Sequence, residues 1–328
     1  MFAALGYKNT NFYNFAPLLP ENKALMSPEN NIKTPLSPFG KGTGVAIVTP
    51  FKKDGSIDFD ALSTIIEHLI KGKVEYIVAL GTTSESATLS EEEKHAVKEH
   101  IVKVVNGRIH VAMGIGGNNT AEVINSMKTA DLSGISAILS VCPYYNRPNQ
   151  EGLYQHFRAI AKAAPLPVVL YNVPGRTSCN LTDETTLRLA HEFKNIIGVK
   201  EASGNLAQIM NIIKNRPKNF LVISGDDLIT FPIIACGGDG VISVVANAYP
   251  NDFSEMVRQA LHGNYEEARK LQYKLTDITN LMFADGNPGG VKATLEIMKL
   301  CSSHVRLPLV NVNEKVYSAL AEEIKNYR

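Results

Sequence analysis

Residues 76–90, YIVALGTTSESATLS, contain the structural unit that repeats along this chain. The unit begins with an apolar run (76–80) and passes through a polar turn to Ser90. Ser90 and Glu93 have the spacing of a capping box, which predicts a helix from residue 91 onward. A run that is apolar throughout is typical of a strand covered on both faces of a parallel sheet. The stretch therefore predicts a strand, a turn and a crossover helix.

Seven further runs of this kind recur at intervals of about one strand-plus-helix unit. Eight strands and seven crossovers favour an α/β fold, a (β/α)8 TIM barrel, over a doubly wound sheet, which usually has about five or six parallel strands. The glycine cluster GIGGNN (114–119) lacks the third glycine of a dinucleotide-binding loop. The eight runs are GVAIVT (44–49), YIVAL (76–80), HVAMG (110–114), AILSV (137–141), PVVLY (167–171), IIGVK (196–200), FLVIS (220–224) and GVISV (240–244).

The segments on either side of the barrel have a different composition. Residues 1–40 are rich in proline and asparagine without helical or strand periodicity, which predicts a flexible extension and leaves a start at Met26 open. They do not have the pattern of a secretory signal. We assign 41–250 to the barrel and 251–328 to a C-terminal helical region outside it. In that region the pattern predicts helices near 252–263, 265–284 and 313–327, and a shorter one after Pro288.

The composition excludes several classes of protein. The 328 residues include 33 Lys+Arg and 32 Asp+Glu, a balance that argues against a nucleic-acid partner. No apolar run approaches the roughly 20 residues that span a membrane. The four cysteines are scattered and lack the spacing of a metal site, so we expect reduced thiols, a cytoplasmic location and no metal or other cofactor.

The chemistry of a barrel of this kind lies at the C-terminal ends of its strands. Lys200 closes the apolar run IIGV, where desolvation favours the neutral amine that forms a Schiff base with a ketone. Gly198, two residues back on the same face, is expected to leave room beside that amine. Tyr171 ends the neighbouring strand and, with Thr82, is suited to relay protons. For Lys200 alone, a lysine that reaches solvent or pairs with a carboxylate is the alternative.

Two further groups are suited to hold carboxylates. The peptide N–H groups of Thr82 and Thr83 lie at a tight turn after a strand and can bind a small carboxylate. Arg176 offers a bidentate clamp for a second carboxylate, the alternative being a surface ion pair.

Six of these segments, in order and mostly at strand ends, together resemble the dihydrodipicolinate synthase family of pyruvate-dependent class I aldolases. The resemblance runs from about residue 44 to 308. It implies a homotetrameric barrel that condenses pyruvate with L-aspartate-4-semialdehyde in lysine and diaminopimelate biosynthesis. The segments are GTTSESATL (81–89), CPYYNRPNQEGLYQHF (142–157), YNVPGRT (171–177), IIGVKEASGN (196–205), SGDD (224–227) and GVISV (240–244).

The resemblance also assigns roles. It implies that Lys200 forms the imine with pyruvate and that Thr82, Tyr171 and Tyr145 relay protons, with Tyr145 reaching into the neighbouring subunit. It further implies that Thr83 contacts the pyruvate carboxylate and that Arg176 binds the carboxylate of the semialdehyde. Gly225 and Ile242 are implied to line the pocket through their backbone groups. A feedback site for L-lysine falls on Ser86, Ala87, Asn118, Glu122 and Tyr144.

The chain departs from the family pattern at three places. Positions 91 and 94, often histidine in lysine-sensitive members, are Glu91 and Lys94. Ser84 replaces a glycine, which strains the turn if that position needs a positive φ. The segment FADGNPGGVK (283–292) has glycines where a proline is familiar, and we expect it to touch no catalytic residue.

Two other functions stay open on the sequence. A sialic-acid (N-acetylneuraminate) or 2-keto-3-deoxy-sugar-acid aldolase would keep Lys200 and Tyr171 but generally lacks the arginine at position 176. A barrel that binds a small acid as a sensor would not need Lys200, Tyr171, Thr82 and Tyr145 together. The intact set argues against the sensor, and Arg176 is the feature that favours the synthase over the other aldolases.

Overall fold

The computed structural model describes residues 39–327, and the described strands form one closed parallel barrel in chain order. The predicted (β/α)8 barrel is therefore confirmed. Most of the predicted extension, residues 1–38, lies outside the described residues. The strands are β1 (Gly42–Ala46), β2 (Tyr76–Ala79), β3 (His110–Gly114), β4 (Ala137–Val141), β5 (Val168–Asn172), β6 (Ile196–Glu201), β7 (Leu221–Ser224) and β8 (Gly240–Ser243).

Helices connect the strands and continue after the last one. None of the helices within residues 39–327 is both long and apolar enough to cross a membrane. The helices are α1 (Phe59–Lys71), α2 (Glu91–Val105), α3 (Thr120–Thr129), α4 (Gln150–Ala163), α5 (Pro174–Thr177), α6 (Asp183–Glu192), α7 (Leu206–Asn215), α8 (Thr230–Ala235), α9 (Pro250–Leu261), α10 (Tyr265–Ala284), α11 (Gly289–Ile297) and α12 (Glu314–Asn326).

The helix boundaries follow from local signals. Ser90 and Glu93 form the predicted capping box, each side chain accepting a hydrogen bond from the other's backbone N–H. Helix α1 ends before Gly72, although the φ of that glycine is −75° and does not by itself require glycine. The glycine is needed because a Cβ there would lie 2.4 Å from Pro250 of α9. Gly72 therefore ends one helix and allows close packing of another.

The strands are buried on both faces, as their apolar runs predict. One irregularity sets the register of the catalytic strands. Val168 pairs with Ile196 and Val169 with Gly198, so β6 has one extra residue at Ile197. Beyond this bulge Tyr171 pairs with Lys200.

The four predicted C-terminal helices are all present, as α9 to α12. Helix α9 packs against β1 and β8 and against α10, whereas α10 packs against α9, α11 and α12. Helix α9 thus covers two barrel strands, and α10 also packs against α8. The domain boundary between residues 250 and 251 stays a prediction.

Candidate active site

A cavity of about 970 Å³ opens where β2, β5, β6 and β7 end. It contains most of the residues that the sequence analysis selected, and they come from five different strand ends or loops. Within residues 39–327 no group of three or more His, Cys, Asp or Glu side chains is arranged to hold a metal ion. The selected residues in the lining are Thr82, Thr83, Ser86, Ala87, Tyr144, Tyr171, Arg176, Lys200 and Gly225.

Lys200 and Tyr171 form the centre of the site. Both side chains are nearly buried, with 5% and 8% of their surface exposed. The side-chain nitrogen Nζ of Lys200 lies 4.4 Å from the centre of the Tyr171 ring. Lys200 is buried and no carboxylate pairs with it among the described residues, so the structure does not support the alternative of a lysine that reaches solvent or pairs with a carboxylate. The amine is placed beside a phenol at the floor of the cavity.

The expectation that Gly198 makes room for the lysine is wrong. A Cβ at Gly198 would lie 2.8 Å from both the Cβ and the carbonyl oxygen of Leu221, so the missing side chain makes room for β7. Gly225 has the predicted effect instead, because its Cβ would lie 3.0 Å from Cε of Lys200. Gly198 does lie on the same face of β6 as Lys200, but Leu221 of the neighbouring strand takes the space beside it, and strand alternation cannot report that contact.

Thr82 and Thr83 lie in the turn that follows β2. Thr82 is exposed to the cavity, whereas Thr83 is buried and its hydroxyl accepts a 3.0 Å hydrogen bond from the side-chain amide of Asn287. Because a hydroxyl that accepts one bond keeps its own proton to donate, Thr83 is suited to bind a carboxylate. Asn287 belongs to the segment 283–292, which therefore contacts a residue that the resemblance assigns to the pyruvate carboxylate, although none of the four residues assigned to catalysis.

Ser84 fits this turn without strain. Its φ is not positive, and its hydroxyl donates a 2.6 Å hydrogen bond to the carbonyl of Ile47. The positive φ of 54° falls on Glu85 instead. The substitution of serine for glycine therefore anchors the turn to the end of β1.

Arg176 lies in α5 at the rim of the cavity and is exposed. Within residues 39–327 no acidic side chain pairs with its guanidinium. The surface ion pair that was its alternative is therefore not formed by the described residues. A free guanidinium at the mouth of a cavity can bind an incoming carboxylate through two parallel hydrogen bonds.

Behind the two central strands, Glu201 is fully buried without a cationic partner among the residues described. Burial raises the pKa of this carboxyl group, against the effect of hydrogen bonds from Ser203, Asn172 and Gln208. The bond from Asn172 spans 2.6 Å and joins the end of β5 to the end of β6. This bond holds together the two strand ends that position Tyr171 and Lys200.

Some of the selected residues lie outside the cavity lining. Tyr145 is 89% exposed with a φ of 72°, and Ile242 is buried in the barrel interior in one apolar cluster with Tyr171. Asn118 is half-buried and Glu122 is exposed in the first turn of α3, and neither lines the cavity.

The loop after β4 is tied to its neighbours rather than to the cavity floor. The side-chain amide of Asn146 donates to the carbonyl of Asn118 at 3.1 Å, and Arg147 donates to the carbonyl of Ser178 at 3.1 Å. These bonds fix a loop that presents Tyr145 outward.

Asp227 holds the turn after β8. It is buried, and its Oδ2 accepts hydrogen bonds from the backbone N–H of Val244 at 3.0 Å and of Val245 at 3.3 Å. Desolvation raises the pKa of this carboxyl group to about 6, although these hydrogen bonds lower it. Because Val244 lines the cavity, Asp227 supports one of its walls.

The sequence analysis missed Asn287, Glu201 and Asp227. Glu201 and Asp227 lie in the segments IIGVKEASGN (196–205) and SGDD (224–227). The neighbouring sequence does not show whether a carboxylate at the end of a strand is buried. The contact between Asn287 and Thr83 joins residues 204 positions apart, and no periodicity reports such a pair.

Comparisons with known proteins agree on one family. The model of the dihydrodipicolinate synthetase family matches residues 40–327. The 4-hydroxy-tetrahydrodipicolinate synthase of Flavobacterium psychrophilum is 56% identical over 279 residues, which cover 85% of this chain and 95% of that protein.

Two crystal structures are similar over nearly their whole length. The chloride-inhibited dihydrodipicolinate synthase of Acinetobacter baumannii, complexed with pyruvate, has a TM-score of 0.85 and 41% identity, covering 88% of this chain and 99% of that one. The enzyme of Cyanidioschyzon merolae with lysine bound has a TM-score of 0.84 and 37% identity, covering 88% of this chain and 98% of that one.

The raised pKa of Asp227 predicts a pH dependence of stability. The ordinary value is 3.8 and the folded value about 6, so folding favours the protonated carboxyl group. Its contribution is complete below the unfolded pKa and is lost as the pH rises through 6. This loss lowers the free energy of unfolding by up to about 3 kcal/mol between pH 4 and pH 7.

Asp227→Asn removes this ionisation. We expect the free energy of unfolding of the variant, relative to that of the unsubstituted chain, to increase by about 2–3 kcal/mol between pH 4 and pH 7. Urea unfolding of both proteins at the two pH values measures it. Parallel pH profiles would show that Asp227 has an ordinary pKa.

Proposed function

The chain belongs to the dihydrodipicolinate synthetase family, and we propose that it acts as a 4-hydroxy-tetrahydrodipicolinate synthase, which condenses pyruvate with L-aspartate-4-semialdehyde. The observation that carries this proposal is the buried amine of Lys200 beside the Tyr171 ring, in a cavity with the unpaired Arg176 at its rim. A Schiff-base aldolase needs these three elements: a nucleophilic amine, a proton carrier and a clamp for the second substrate.

In the proposed mechanism the neutral amine of Lys200 attacks the ketone carbon of pyruvate, and water leaves to form a protonated imine. Loss of a proton from the pyruvate methyl group then gives an enamine, since the imine nitrogen accepts the electron pair. The enamine carbon attacks the aldehyde carbon of the semialdehyde, and the aldehyde oxygen takes up a proton. Water or the amino group of the product displaces Lys200, which restores the amine.

In this mechanism one set of side chains transfers protons and another binds the pyruvate carboxylate. The hydroxyl of Tyr171 carries protons to and from the substrate, in a relay with Thr82 and with Tyr145 of the neighbouring subunit. Thr83 donates to the pyruvate carboxylate, and its hydrogen bond from Asn287 supports this role. Gly225, whose missing Cβ gives space to Lys200, and Ile242 complete the pocket through their backbone.

Arg176 decides between this reaction and that of a sugar-acid aldolase. The semialdehyde has a carboxylate that a planar guanidinium binds through two hydrogen bonds. Arg176 is exposed, lines the cavity and has no acidic partner among the described side chains. The available clamp favours the semialdehyde as second substrate.

Trapping the imine tests the mechanism. With pyruvate and borohydride we expect one reduced three-carbon adduct per chain, on Lys200, because reduction makes the imine permanent. Mass spectrometry of peptides locates the adduct, and an assay with the semialdehyde measures the condensation. Lys200→Ala should lose the adduct and nearly all of the activity. An adduct on a different lysine would contradict the assignment.

We also propose a homotetramer, a dimer of dimers, in which Tyr145 enters the site of the adjacent subunit. The support is the large exposure of Tyr145 and its left-handed backbone, in a loop held by hydrogen bonds on both sides. A strained aromatic residue held outward is suited to insert into a partner. A cytoplasmic location stays a prediction from the cysteine pattern.

Mixing two inactive variants tests the shared site. Tyr145→Phe removes the relay hydroxyl and Lys200→Ala removes the nucleophile, so a hybrid dimer regenerates one site with both groups intact. We expect mixed subunits to recover measurable activity under conditions in which isotope-labelled subunits exchange. Exchange without recovery, or a monomer in sedimentation, would rule out sharing.

Feedback by L-lysine is the third part of the proposal. The site would need an anionic side chain and polar partners for the ammonium and carboxylate groups of lysine. These are offered by Glu122, Asn118, Ser86 and Tyr144, beside Ala87. Lys94 forms a 2.7 Å ion pair with Glu91, and both line the cavity. The pair lowers the repulsion that Lys94 exerts on a cationic ligand, yet it offers no free carboxylate.

We therefore expect measurable inhibition by lysine that is weaker than in relatives with histidines at positions 91 and 94. Titration of activity with L-lysine measures it, and Glu122→Ala should weaken it at least about tenfold, a change of about 1.4 kcal/mol. Lys94→His tests the charge effect and should strengthen inhibition. Strong inhibition that Glu122→Ala leaves unchanged would place the lysine site elsewhere.

A further inference from the structure

A buried ion pair connects the C-terminal region to the turn after β2. Nζ of Lys292, in α11, lies 2.5 Å from Oε1 of Glu85, and both side chains are almost completely shielded from solvent. The two residues are 207 positions apart in the chain. Lys292 has no role in the proposed chemistry, since it is absent from the cavity lining.

Among the described residues, the other side-chain hydrogen bonds of the pair also lead to the C-terminal segment. The second oxygen of Glu85 accepts a hydrogen bond from the backbone N–H of Arg306 at 2.9 Å, and Lys292 donates to the carbonyl of His304 at 2.9 Å. The ring of Phe51 lies 4.1 Å from Nζ of Lys292 and 4.4 Å from the guanidinium of Arg306. The carboxylate is thus bound by two donors from one segment under an apolar cover.

Glu85 belongs to the same turn as Thr82 and Thr83. Its backbone N–H donates to the carbonyl of Thr82 at 3.0 Å, and its φ of 54° is left-handed. This conformation is uncommon for a non-glycine residue and is stabilised by surrounding contacts. The side chain of Glu85 is held by Lys292 and Arg306, which anchor the turn in this conformation.

A second contact joins the same segment to the same turn. Asn287 precedes α11 and donates to the hydroxyl of Thr83 at 3.0 Å. The segment 287–292 therefore contacts the turn at two places, at Thr83 through Asn287 and at Glu85 through Lys292. The turn lies between these two contacts, and its exposed Thr82 faces the cavity.

Stability alone is a weak reason for such a pair. Buried ion pairs can often be replaced by apolar side chains without loss of stability, because desolvation of the two charges offsets their attraction. A pair of this kind instead restricts geometry, since only one arrangement satisfies both charges.

We propose that Glu85 and Lys292 are positioning residues that fix the Thr82–Glu85 turn for pyruvate, so that the C-terminal segment 287–306 sets the affinity of the site for this substrate. The inference rests on the proposed function, which assigns pyruvate to this turn. It adds that pyruvate binding depends on a helix outside the barrel.

The double variant Glu85→Gln/Lys292→Met removes both charges and retains the size of both side chains. We expect it to fold with a melting temperature close to that of the unsubstituted chain. The pyruvate concentration for half-maximal borohydride trapping on Lys200, and KM for pyruvate, should rise about tenfold or more, because a displaced turn binds the carboxylate less well. KM for the semialdehyde should change less than about twofold, since Arg176 lies on a different loop.

The matched control is Asp252→Asn/Lys274→Met. This 2.8 Å ion pair joins α9 to α10 and neither residue lines the cavity. It should leave both KM values unchanged even if the melting temperature falls. A folded double variant of Glu85 and Lys292 with unchanged pyruvate affinity would overturn the proposal, as would an equal rise of both KM values.

A third variant tests the proposal if the double variant of Glu85 and Lys292 does not fold. Glu85→Asp keeps the charge and shortens the side chain by one methylene, so the turn or the ion pair must shift. It should raise the pyruvate half-saturation and spare the semialdehyde KM, and unchanged values would overturn the proposal. Absence of an adduct in the unsubstituted chain would instead refute the proposed function, which keeps the two failures distinguishable.

Discussion

The register between β5 and β6 is the constraint on which the site depends. Tyr171 pairs directly with Lys200, and it does so because β6 contains one extra residue at Ile197. Without this bulge, the pairing would move by one residue and Tyr171 would pair with Val199. Since side chains alternate across a strand, a slip of one residue places a side chain on the opposite face. The bulge therefore puts the amine and the phenol on the same side of the barrel.

Close packing around the bulge explains why the register is stable. Gly198 allows Leu221 of β7 to approach where a methyl group would clash, and Gly225 gives the same space to the side chain of Lys200. Behind the strands, Asn172 bonds to Glu201 across the β5–β6 junction. The two glycines allow close packing inside the barrel, and the bond between Asn172 and Glu201 joins the ends of β5 and β6.

The turn after β2, which forms the other side of the site, is positioned by a buried ion pair between Glu85 and Lys292. The turn with Thr82 and Thr83 is joined to α11 by an ion pair and to the residue Asn287 just before α11 by a hydrogen bond. An unpaired buried charge costs several kcal/mol, so loss of either partner in the pair would favour rearrangement of the turn. The barrel provides the nucleophile and the C-terminal helices hold the groups that face it. The active site is in this sense divided between two parts of the chain.

The sequence by itself determined the elements and the order in which they meet. Apolar runs predict the eight strands, capping residues predict the helix starts, and consecutive strands of a barrel are neighbours, so Tyr171 and Lys200 could be placed side by side. These inferences succeed because each depends on residues close together in the chain. Only the tertiary structure decided the role of Gly198, the contact of Asn287 with Thr83 and the pairing of Glu85 with Lys292. Such pairs, about two hundred residues apart, depend on how the C-terminal helices pack on the barrel, and many weak contacts that leave no local pattern determine that packing.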